Sequence, residues 1–322
     1  MLFRSLPSVK KGKLSSILSF PYLRINIMKN VKQIHTDQNV SQSIGLDIAL
    51  ILSKLITGKS NLHYGIWDGL EVTMGNLCLA QEAYTKNLFN YLPKKKSMKI
   101  LDIGGGGGET AKKLLDKGHE VDIVVPSEEL AKEAKETTKG NADIYQTIFE
   151  DYIPKNKKLY DVCLFSESFQ YIPMDISLPK ASALLNKTGI ILISDCFRSE
   201  AFKKSKTRQP GGGHSITEME EKLVKFSLKI INRKDITQSV APSIDLEQKT
   251  FNAFGEIIMR LSKSLKEKKN ILFYLLKMSY KLFLKERRRK DLESRLFNKG
   301  RTSQLFMTYN KYIIFKLKPP QI

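Results

Sequence analysis

A run of five glycines follows a short apolar stretch and precedes a helical pattern. Residues 100–110 read Ile-Leu-Asp-Ile-Gly-Gly-Gly-Gly-Gly-Glu-Thr, with Asp102 two residues before the first glycine. Glycines let the backbone turn tightly and let a ligand approach main-chain N–H groups without a Cβ atom in the way. Gly104, Gly106 and Gly108 form a G-x-G-x-G pattern. The pattern predicts a loop that binds a nucleotide-type cofactor, and a generic phosphate or dinucleotide loop is its alternative.

Three side chains are candidates for removing a proton from a substrate. His63 begins the segment His-Tyr-Gly-Ile-Trp-Asp-Gly, Glu167 follows an apolar run at 160–166, and His214 follows three glycines. Open α/β sheets bind ligands outside the carboxyl ends of their strands, which is where Glu167 would lie. Each residue also has a structural interpretation: His63 would orient a loop, Glu167 would hold the backbone of its loop, and His214 would be solvated. The sequence leaves the proton acceptor open among these three.

Together, these motifs resemble the class I S-adenosylmethionine-dependent methyltransferase superfamily. Residues 160–173 resemble its fourth-strand motif, and 184–189 resemble a later turn of the family. Residues 63–69 are similar to a segment of the sterol, tocopherol and cyclopropane-fatty-acid branch. The resemblance covers 61–240 and continues more weakly at 304–317.

The resemblance implies S-adenosyl-L-methionine as the cofactor and implies no metal. In the family the glycine loop holds the methionine and ribose parts, and the segment at 63–69 lies over the cofactor and helps to enclose the acceptor. The reaction would be methyl transfer to O, N or C of a small, lipophilic acceptor, with positioning, water exclusion and proton removal as the catalytic contributions. The residues that it implies for cofactor binding are Asp102, Gly104, Gly106, Gly108, Tyr64 and Trp67.

The end of the second strand departs from the family pattern. Most relatives carry Asp or Glu there, and its carboxylate accepts both ribose hydroxyls; the spacing places Val125 at this position. Asp122 lies three residues earlier, about 10 Å back along a strand, so it cannot easily substitute. Glu128 or Glu129 could reach the ribose, but acids in the first turn of a helix also have an ordinary role beside the helix dipole.

A second departure concerns the proton acceptor and opens two alternative functions. Similar O-methyltransferases carry histidines just after the fourth-strand glutamate, where this chain has Gln170 and Tyr171. An inactive methyltransferase-like binding or assembly protein is therefore an alternative. A nucleic-acid methyltransferase is another, suggested by the charge of the chain. Against it, residues 166–169 read Ser-Glu-Ser-Phe and not the Asn/Asp-Pro-Pro-Tyr type that holds a flipped base, so we expect no nucleic-acid partner.

Strand-like runs alternate with helical patterns after residue 96, which is typical of βαβ units with a parallel sheet. The predicted strands are 99–103, 119–125, 142–147, 160–166, 190–194, 227–232 and 304–317. The predicted helices are 41–56, 70–91, 109–117, 128–137, 176–185 and most of 245–298. The fold class is therefore α/β: a Rossmann-like seven-stranded methyltransferase domain with an N-terminal helical cap and a helical insertion before the last strand.

The predicted organisation follows from these elements and from the charge. It consists of a basic N-terminal arm or targeting segment at 1–36, a helical cap at 37–95, the S-adenosylmethionine-binding domain at 96–240, a basic helical insertion at 241–303 and the final strand at 304–322.

The net charge of +21 is concentrated at the two ends of the chain. Residues 1–36 carry seven basic and no acidic residues, and 256–290 carry twelve basic against three acidic, whereas 37–255 are nearly neutral. Basic segments attract phosphates on membranes or nucleic acids, and a solvated basic face is the alternative. Because 260–290 also contains an apolar helix, we predict peripheral membrane contact through it, where Phe273, Leu276, Tyr280 and Phe283 would bury apolar area.

Cysteine usage and the N-terminus bear on location. Cys78, Cys163 and Cys196 are far apart and form no CxxC pair, which fits a reducing compartment. No apolar run is long enough to cross a bilayer, so we expect a cytoplasmic protein that also associates with membranes. The acid-free 1–36 resembles a mitochondrial transit peptide, which makes mitochondria the alternative. A basic surface arm, or a chain that starts at Met28, are the other interpretations, and the oligomeric state is left open.

Overall fold

The structure, a computed structural model, describes residues 45–155, 159–205, 209–297 and 300–320. The chain divides into two compact units, 1–49 and 50–322. Of the first unit, only 45–49 are described, and they are helical. The predicted arm at 1–36 lies outside the described residues. Everything below concerns the second unit.

Seven strands form one sheet in the order β3-β2-β1-β4-β5-β7-β6. The first five strands are parallel, and β7 is antiparallel to both β5 and β6. The strands are β1 Lys99–Ile103, β2 Glu120–Val124, β3 Asp143–Tyr145, β4 Tyr160–Ser166, β5 Leu185–Arg198, β6 Lys229–Asp235 and β7 Asn310–Lys318.

Helices precede the sheet, connect its strands and fill the interval before β7. They are α1 (50–57), α2 Leu77–Phe89, α3 Glu109–Leu115, α4 Glu128–Thr137, α5 Met174–Leu184, α6 Glu200–Lys204, α7 Ile216–Lys225, α8 Thr237–Val240, α9 Pro242–Lys268, α10 Asn270–Phe283, α11 Glu286–Phe297 and α12 Ser303–Tyr309. The predicted fold class is confirmed, including the helical region before the last strand.

The central strands are continuous apolar runs because helices cover both faces of the sheet. In β4, four consecutive residues, 162–165, are buried, and in β5 the buried run extends from 189 to 197. The register joins Leu101 of β1 to Cys163 of β4, and Phe165 of β4 to Ile193 of β5. The carboxyl ends of β1 and β4 therefore meet at one edge, next to the glycine run and Glu167.

The last strand differs from its prediction. Residues 304–317 were expected to form a strand throughout, but α12 occupies 303–309 and β7 begins at Asn310. The Thr302 side chain accepts a hydrogen bond from the backbone N–H of Leu305 and caps the helix, and Phe306 is buried. A cap and one buried anchor therefore override the alternating pattern in this stretch.

Two further boundaries were predicted wrongly. The helix expected over 70–91 begins only at Leu77, because Leu70, Val72 and Met74 pack around Trp67 in an extended segment and a short 3₁₀ turn. The strand expected at 190–194 extends over Leu185–Arg198, since β7 pairs with its second half from Ile191 to Arg198. Among the described residues, no helix is long and apolar enough to cross a membrane.

Candidate active site

The glycine run forms a tight loop between β1 and α3. The backbone N–H of Gly104 donates to the carbonyl oxygen of Val124 at 2.7 Å, and Gly108 caps α3 with a φ of 84°. A Cβ atom on Gly108 would lie 2.9 Å from the Cα of Ala134, so this position must be glycine. Gly106 also has a positive φ, of 55°, but a Cβ there would meet only Leu62, at 3.9 Å. Gly106 is therefore the position where the loop backbone is open to a ligand.

Asp102 lies at the end of β1, beneath this loop. Its carboxyl group is buried, and Oδ2 has no hydrogen-bond partner among the described residues. Burial raises the pKa of Asp102 to about 7. A Cβ on Gly105 would lie 2.7 Å from this oxygen, so the loop closes directly over the carboxyl group. Because buried polar atoms are normally paired, the unpartnered oxygen suits a ligand that brings a donor.

The end of β2 carries no acid. The backbone N–H of Val125 donates to the carbonyl oxygen of Tyr145, which places Val125 directly after β2, as the spacing predicted. Asp122 lies inside the strand and accepts a hydrogen bond from the Tyr160 hydroxyl at 2.5 Å. Glu128 is exposed in the first turn of α4. Asp122 therefore does not replace a carboxylate at the end of β2, and contact of Glu128 or Glu129 with the ribose stays a prediction.

Glu167 follows β4 with a backbone conformation that is unusual for its residue type. Its φ of 56° lies in the left-handed region, where non-glycine residues are uncommon and often belong to functional sites. Oε1 accepts the backbone N–H of Tyr64 at 2.8 Å and the hydroxyl of Tyr312 at 2.7 Å. Burial raises the pKa of Glu167 to about 8, and the two donors oppose that rise. No hydrogen bond from a described residue reaches Oε2, so this oxygen is available to a ligand.

Tyrosines surround Glu167. The hydroxyl of Tyr84 lies 3.0 Å from that of Tyr312 and 2.8 Å from Oγ of Ser194. The rings of Tyr84 and Tyr312 pack edge to face with their centroids 6.1 Å apart, and the ring centroids of Tyr64 and Tyr312 are 6.3 Å apart. Tyr84 and Tyr312 were not predicted as site residues. Tyr84 lies in no motif and Tyr312 only in the weak resemblance at 304–317, and only the fold brings α2 and β7 together.

His63 belongs to the same cluster. Its ring stacks on Tyr84 at 4.5 Å, and its Nδ1 lies 2.9 Å from the carbonyl oxygen of Tyr64. Because a carbonyl only accepts, Nδ1 carries the proton of the neutral ring. Nε2 faces the Thr85 hydroxyl at 3.4 Å. Burial lowers the pKa of His63 to about 4, so the ring is neutral near pH 7.

His214 contacts the backbone of the loop that follows Glu167. Its Nε2 lies 3.1 Å from the carbonyl oxygen of Phe169 and 3.0 Å from that of Ile172, so Nε2–H donates to both. The ring meets that of Phe169 edge to face at 5.3 Å. The structure thus brings together His63, Tyr64 and Glu167, while the contacts of His214 hold the loop in place. A catalytic role for any of these residues stays a prediction.

Trp67 lies on the other side of the capping segment. Its indole N–H donates to Oγ of Ser243 on α9 at 2.8 Å, and its ring packs against Ala80 and Leu246. It also lines a cavity with Pro242 and Met307. Trp67 therefore joins α9 to the cap, and its predicted contact with the cofactor stays a prediction.

Comparison with known proteins adds the chemistry of this arrangement. A family model described as a methyltransferase domain matches residues 79–222. The chain is 25% identical over 166 residues to an uncharacterized methyltransferase of Staphylococcus carnosus, a match that covers 50% of this chain and 78% of that one. It is 30% identical over 98 residues to a ubiquinone biosynthesis O-methyltransferase of Vibrio vulnificus, which covers 28% of this chain and only 40% of that enzyme.

A solved structure shares the fold. The mycolic acid cyclopropane synthase CmaA1 complexed with SAH and CTAB superposes with a TM-score of 0.55 at 13% identity. The match covers 80% of this chain and 90% of that one.

Proposed function

We propose that the chain, whose residues 79–222 match a methyltransferase domain, acts as a member of the class I S-adenosylmethionine-dependent methyltransferase superfamily and transfers a methyl group to a small, lipophilic acceptor bound beside Glu167. The lining of this position carries the proposal. The partly buried carboxyl group of Glu167 lies beside the aromatic residues Tyr64, Tyr84 and Tyr312. An apolar molecule with one polar or acidic atom to be methylated matches such a lining.

The glycine loop fits S-adenosylmethionine, the cofactor of this superfamily. The backbone is open at Gly106, and the unpartnered Oδ2 of Asp102 can accept from an amino or hydroxyl group. These residues would hold the methionine and ribose parts of the cofactor. When bound, the cofactor supplies an electrophilic sulfonium methyl group. The protein then has to orient the acceptor, exclude water and take up a proton.

Glu167 is the proton acceptor that the geometry favours. Tyr64 and Tyr312 fix Oε1, so Oε2 can face an acceptor in a defined direction. By contrast, burial lowers the pKa of His63 to about 4 and makes it a weak base, and Nε2 of His214 holds the loop through the carbonyl oxygens of Phe169 and Ile172. The raised pKa of Glu167 makes it a stronger base than an ordinary carboxylate.

A label-transfer experiment tests this function. Purified protein with S-adenosylmethionine labelled at the methyl group is incubated with a total lipid extract and, separately, with the aqueous metabolites of the same cells. We expect label in the lipid fraction, and a loss of about a hundredfold in Glu167→Gln while binding of S-adenosylhomocysteine is retained. His214→Asn should lose much less. Label found only in the aqueous fraction would overturn the lipophilic acceptor.

A second function is favoured by one observation. The residue at the end of β2 is the buried Val125, where relatives commonly use an acid to hold the ribose. A protein that binds the cofactor without turnover would tolerate this change. Binding of S-adenosylhomocysteine with no label transfer to any cell fraction would support an inactive binding or assembly protein.

Two expectations from the sequence belong to the same proposal. A lipophilic acceptor would come from a bilayer, and we therefore expect peripheral membrane contact through 260–290. The protein would then be cytoplasmic and would act at a membrane surface.

A further inference from the structure

The helix α10 carries its apolar side chains on the outside. Among its residues, Asn270–Phe283, none is buried. Ile271, Leu275, Met278 and Leu282 recur at i, i+4, i+7 and i+11, so they share one face. They are 80, 57, 59 and 73% exposed. Helices that pack on a soluble domain turn such a face inward, so among the residues that the structure describes this stripe lacks the partner that its pattern requires.

Of the four side chains of α10 that were expected to contact lipid, Leu276 and Phe283 are exposed and the other two are not. Phe273 and Tyr280 were expected to contact lipid, but both are partly buried, and the Tyr280 hydroxyl points towards Oε1 of Glu293 on α11 at 3.4 Å. Phe283 is 85% exposed, in agreement with the expectation. The helix thus turns its Phe273–Tyr280 side towards the protein and its aliphatic stripe towards solvent.

A second stripe lies on α9, the preceding helix. Phe254, Ile257, Ile258 and Leu261 recur at i, i+3, i+4 and i+7, and all are exposed. The helix α11 packs beside this stripe without covering it. Gly255 lies against the carbonyl group of Leu296, and the amide of Gln248 donates to the carbonyl oxygen of Arg295 at 2.8 Å. We call the two stripes together the apolar face.

The positive charge next to the apolar face indicates which kind of partner binds to it. Lys277, Lys281 and Lys285 are exposed; Lys277 and Lys281 lie about a quarter to a third of a turn around α10 from the stripe, and Lys285 follows the end of the helix. Within the part of the chain that the structure describes, these lysines form no ion pair. Because 256–290 carry twelve basic and three acidic residues, two copies meeting here would repel each other. An anionic bilayer surface would meet both the lysines and the apolar side chains.

We infer that the apolar face of α9 and α10 is a docking surface for an anionic lipid bilayer. The helix α10 lies in the interface, with its aliphatic stripe among the acyl chains and its lysines at the lipid phosphates. This inference rests on the proposed function in one respect: the proposed function explains why such a surface is useful, because a bilayer would deliver a lipophilic acceptor. Docking itself requires neither cofactor nor methyl transfer.

Sedimentation of the full-length protein with vesicles tests the inference. The vesicles consist of phosphatidylcholine alone or of phosphatidylcholine with phosphatidylglycerol, at low and high salt. The stripe variant carries Ile271→Glu and Leu282→Glu. The matched control carries Val224→Glu and Ile153→Glu, which are also exposed apolar positions, at 81 and 79%.

Wild type and the control should sediment with anionic vesicles at low salt, and high salt should release both. The stripe variant should bind at least about tenfold more weakly, because two carboxylates would enter the interface. Equal binding by the stripe variant, equal binding of wild type to neutral vesicles, or no sedimentation of wild type would each overturn the inference. The apolar face could instead be a dimer interface. A wild-type dimer that becomes a monomer in the stripe variant, with vesicle binding unchanged, would overturn the inference.

Calorimetry with S-adenosylhomocysteine on the same preparations separates the two proposals. Vesicle binding without binding of this ligand would refute the proposed function alone. Ligand binding without vesicle binding would refute the docking surface alone.

Discussion

The hydroxyl of Tyr312 donates a hydrogen bond across 2.7 Å to Oε1 of Glu167, and so connects the last strand of the sheet to the residue that follows β4. The two residues are 145 positions apart in the chain. The same carboxylate oxygen accepts the backbone N–H of Tyr64 from the capping segment. Three separate parts of the chain therefore fix the direction of one carboxyl group, and its second oxygen remains for a ligand.

Replacing Tyr312 by Phe should raise the pKa of Glu167 further. The tyrosine hydroxyl stabilises the ionised carboxylate, whose pKa burial has already raised to about 8. The measurement is infrared titration of the protonated carboxyl band that disappears in Glu167→Gln. Its midpoint should move upward by about one pH unit in Tyr312→Phe.

Tyr152→Phe is the control for this titration, since Tyr152 is a buried tyrosine whose hydroxyl contacts that of Tyr160 and not Glu167. In this variant, the titration midpoint of the Glu167 carboxyl band should equal the wild-type midpoint. An unchanged midpoint in Tyr312→Phe would show that the contact does not govern ionisation of Glu167.

Gly106→Arg should abolish binding of S-adenosylhomocysteine and leave the fold intact. The position combines a φ of 55° with open space above the loop backbone, so an arginine side chain would be strained and would occupy the ligand's place. Calorimetry measures the affinity, and circular dichroism checks the fold. Gly75→Arg is the control, because Gly75 is exposed and has no close neighbour. Binding of NAD as tight as that of S-adenosylhomocysteine to wild type would contradict the assignment of the loop.

The elements that were predicted most accurately are those whose structure is determined by residues close together in the sequence. Helix 128–137 was predicted with its observed bounds, because Ser127 supplies the cap that the pattern requires. Strand 160–166 was also predicted with its observed bounds, since a strand buried on both faces is a continuous apolar run. The glycine loop was found for the same reason, since its φ angles and close contacts demand glycine at fixed positions.

The parts that sequence missed depend on contacts between distant residues. Tyr84 and Tyr312 are 228 positions apart, and no sequence pattern links them, yet their hydroxyls lie 3.0 Å from each other. The inward side of α10 was also not predictable. The period of the helix shows that a stripe exists, but only the tertiary structure shows that Phe273 and Tyr280 are partly buried, with the Tyr280 hydroxyl next to Glu293 of α11. Both cases require the tertiary arrangement.

Asp102→Asn should change how stability depends on pH. Burial raises the pKa of Asp102 to about 7 in the folded state, above its ordinary value of 3.8. A raised pKa means that the folded state holds this proton more tightly, so the stabilisation is present at low pH and is lost as pH rises through about 7. Between about pH 6 and about pH 8.5, deprotonation of this group alone should lower the stability of wild type by roughly 1 kcal/mol.

The asparagine variant carries no such proton and should lose that much less stability over the interval. Urea unfolding of the cofactor-free protein at the two pH values measures the difference. Burial also raises the pKa values of Glu167 and Asp195, so the unfolding free energy of both proteins should still fall with pH because of these two groups. Identical slopes for wild type and variant would show that Asp102 does not titrate in this range.

Val125→Asp restores the acid that most relatives carry at the end of β2, and it should act in opposite directions on the free and the bound protein. Val125 is buried, so a carboxylate there destabilises the cofactor-free fold, by roughly 1–3 kcal/mol. With ligand present, the same group can accept both ribose hydroxyls. We expect S-adenosylhomocysteine to bind about tenfold tighter, in keeping with hydrogen bonds to a charged acceptor. Val125→Thr, which has a similar volume and no charge, is the control and should change the affinity little. Calorimetry gives the affinity, and thermal unfolding with and without ligand gives the two stabilities. If Val125→Asp lowers both the stability and the affinity, the end of β2 does not face the ribose, and the cofactor is held without a contact at this position.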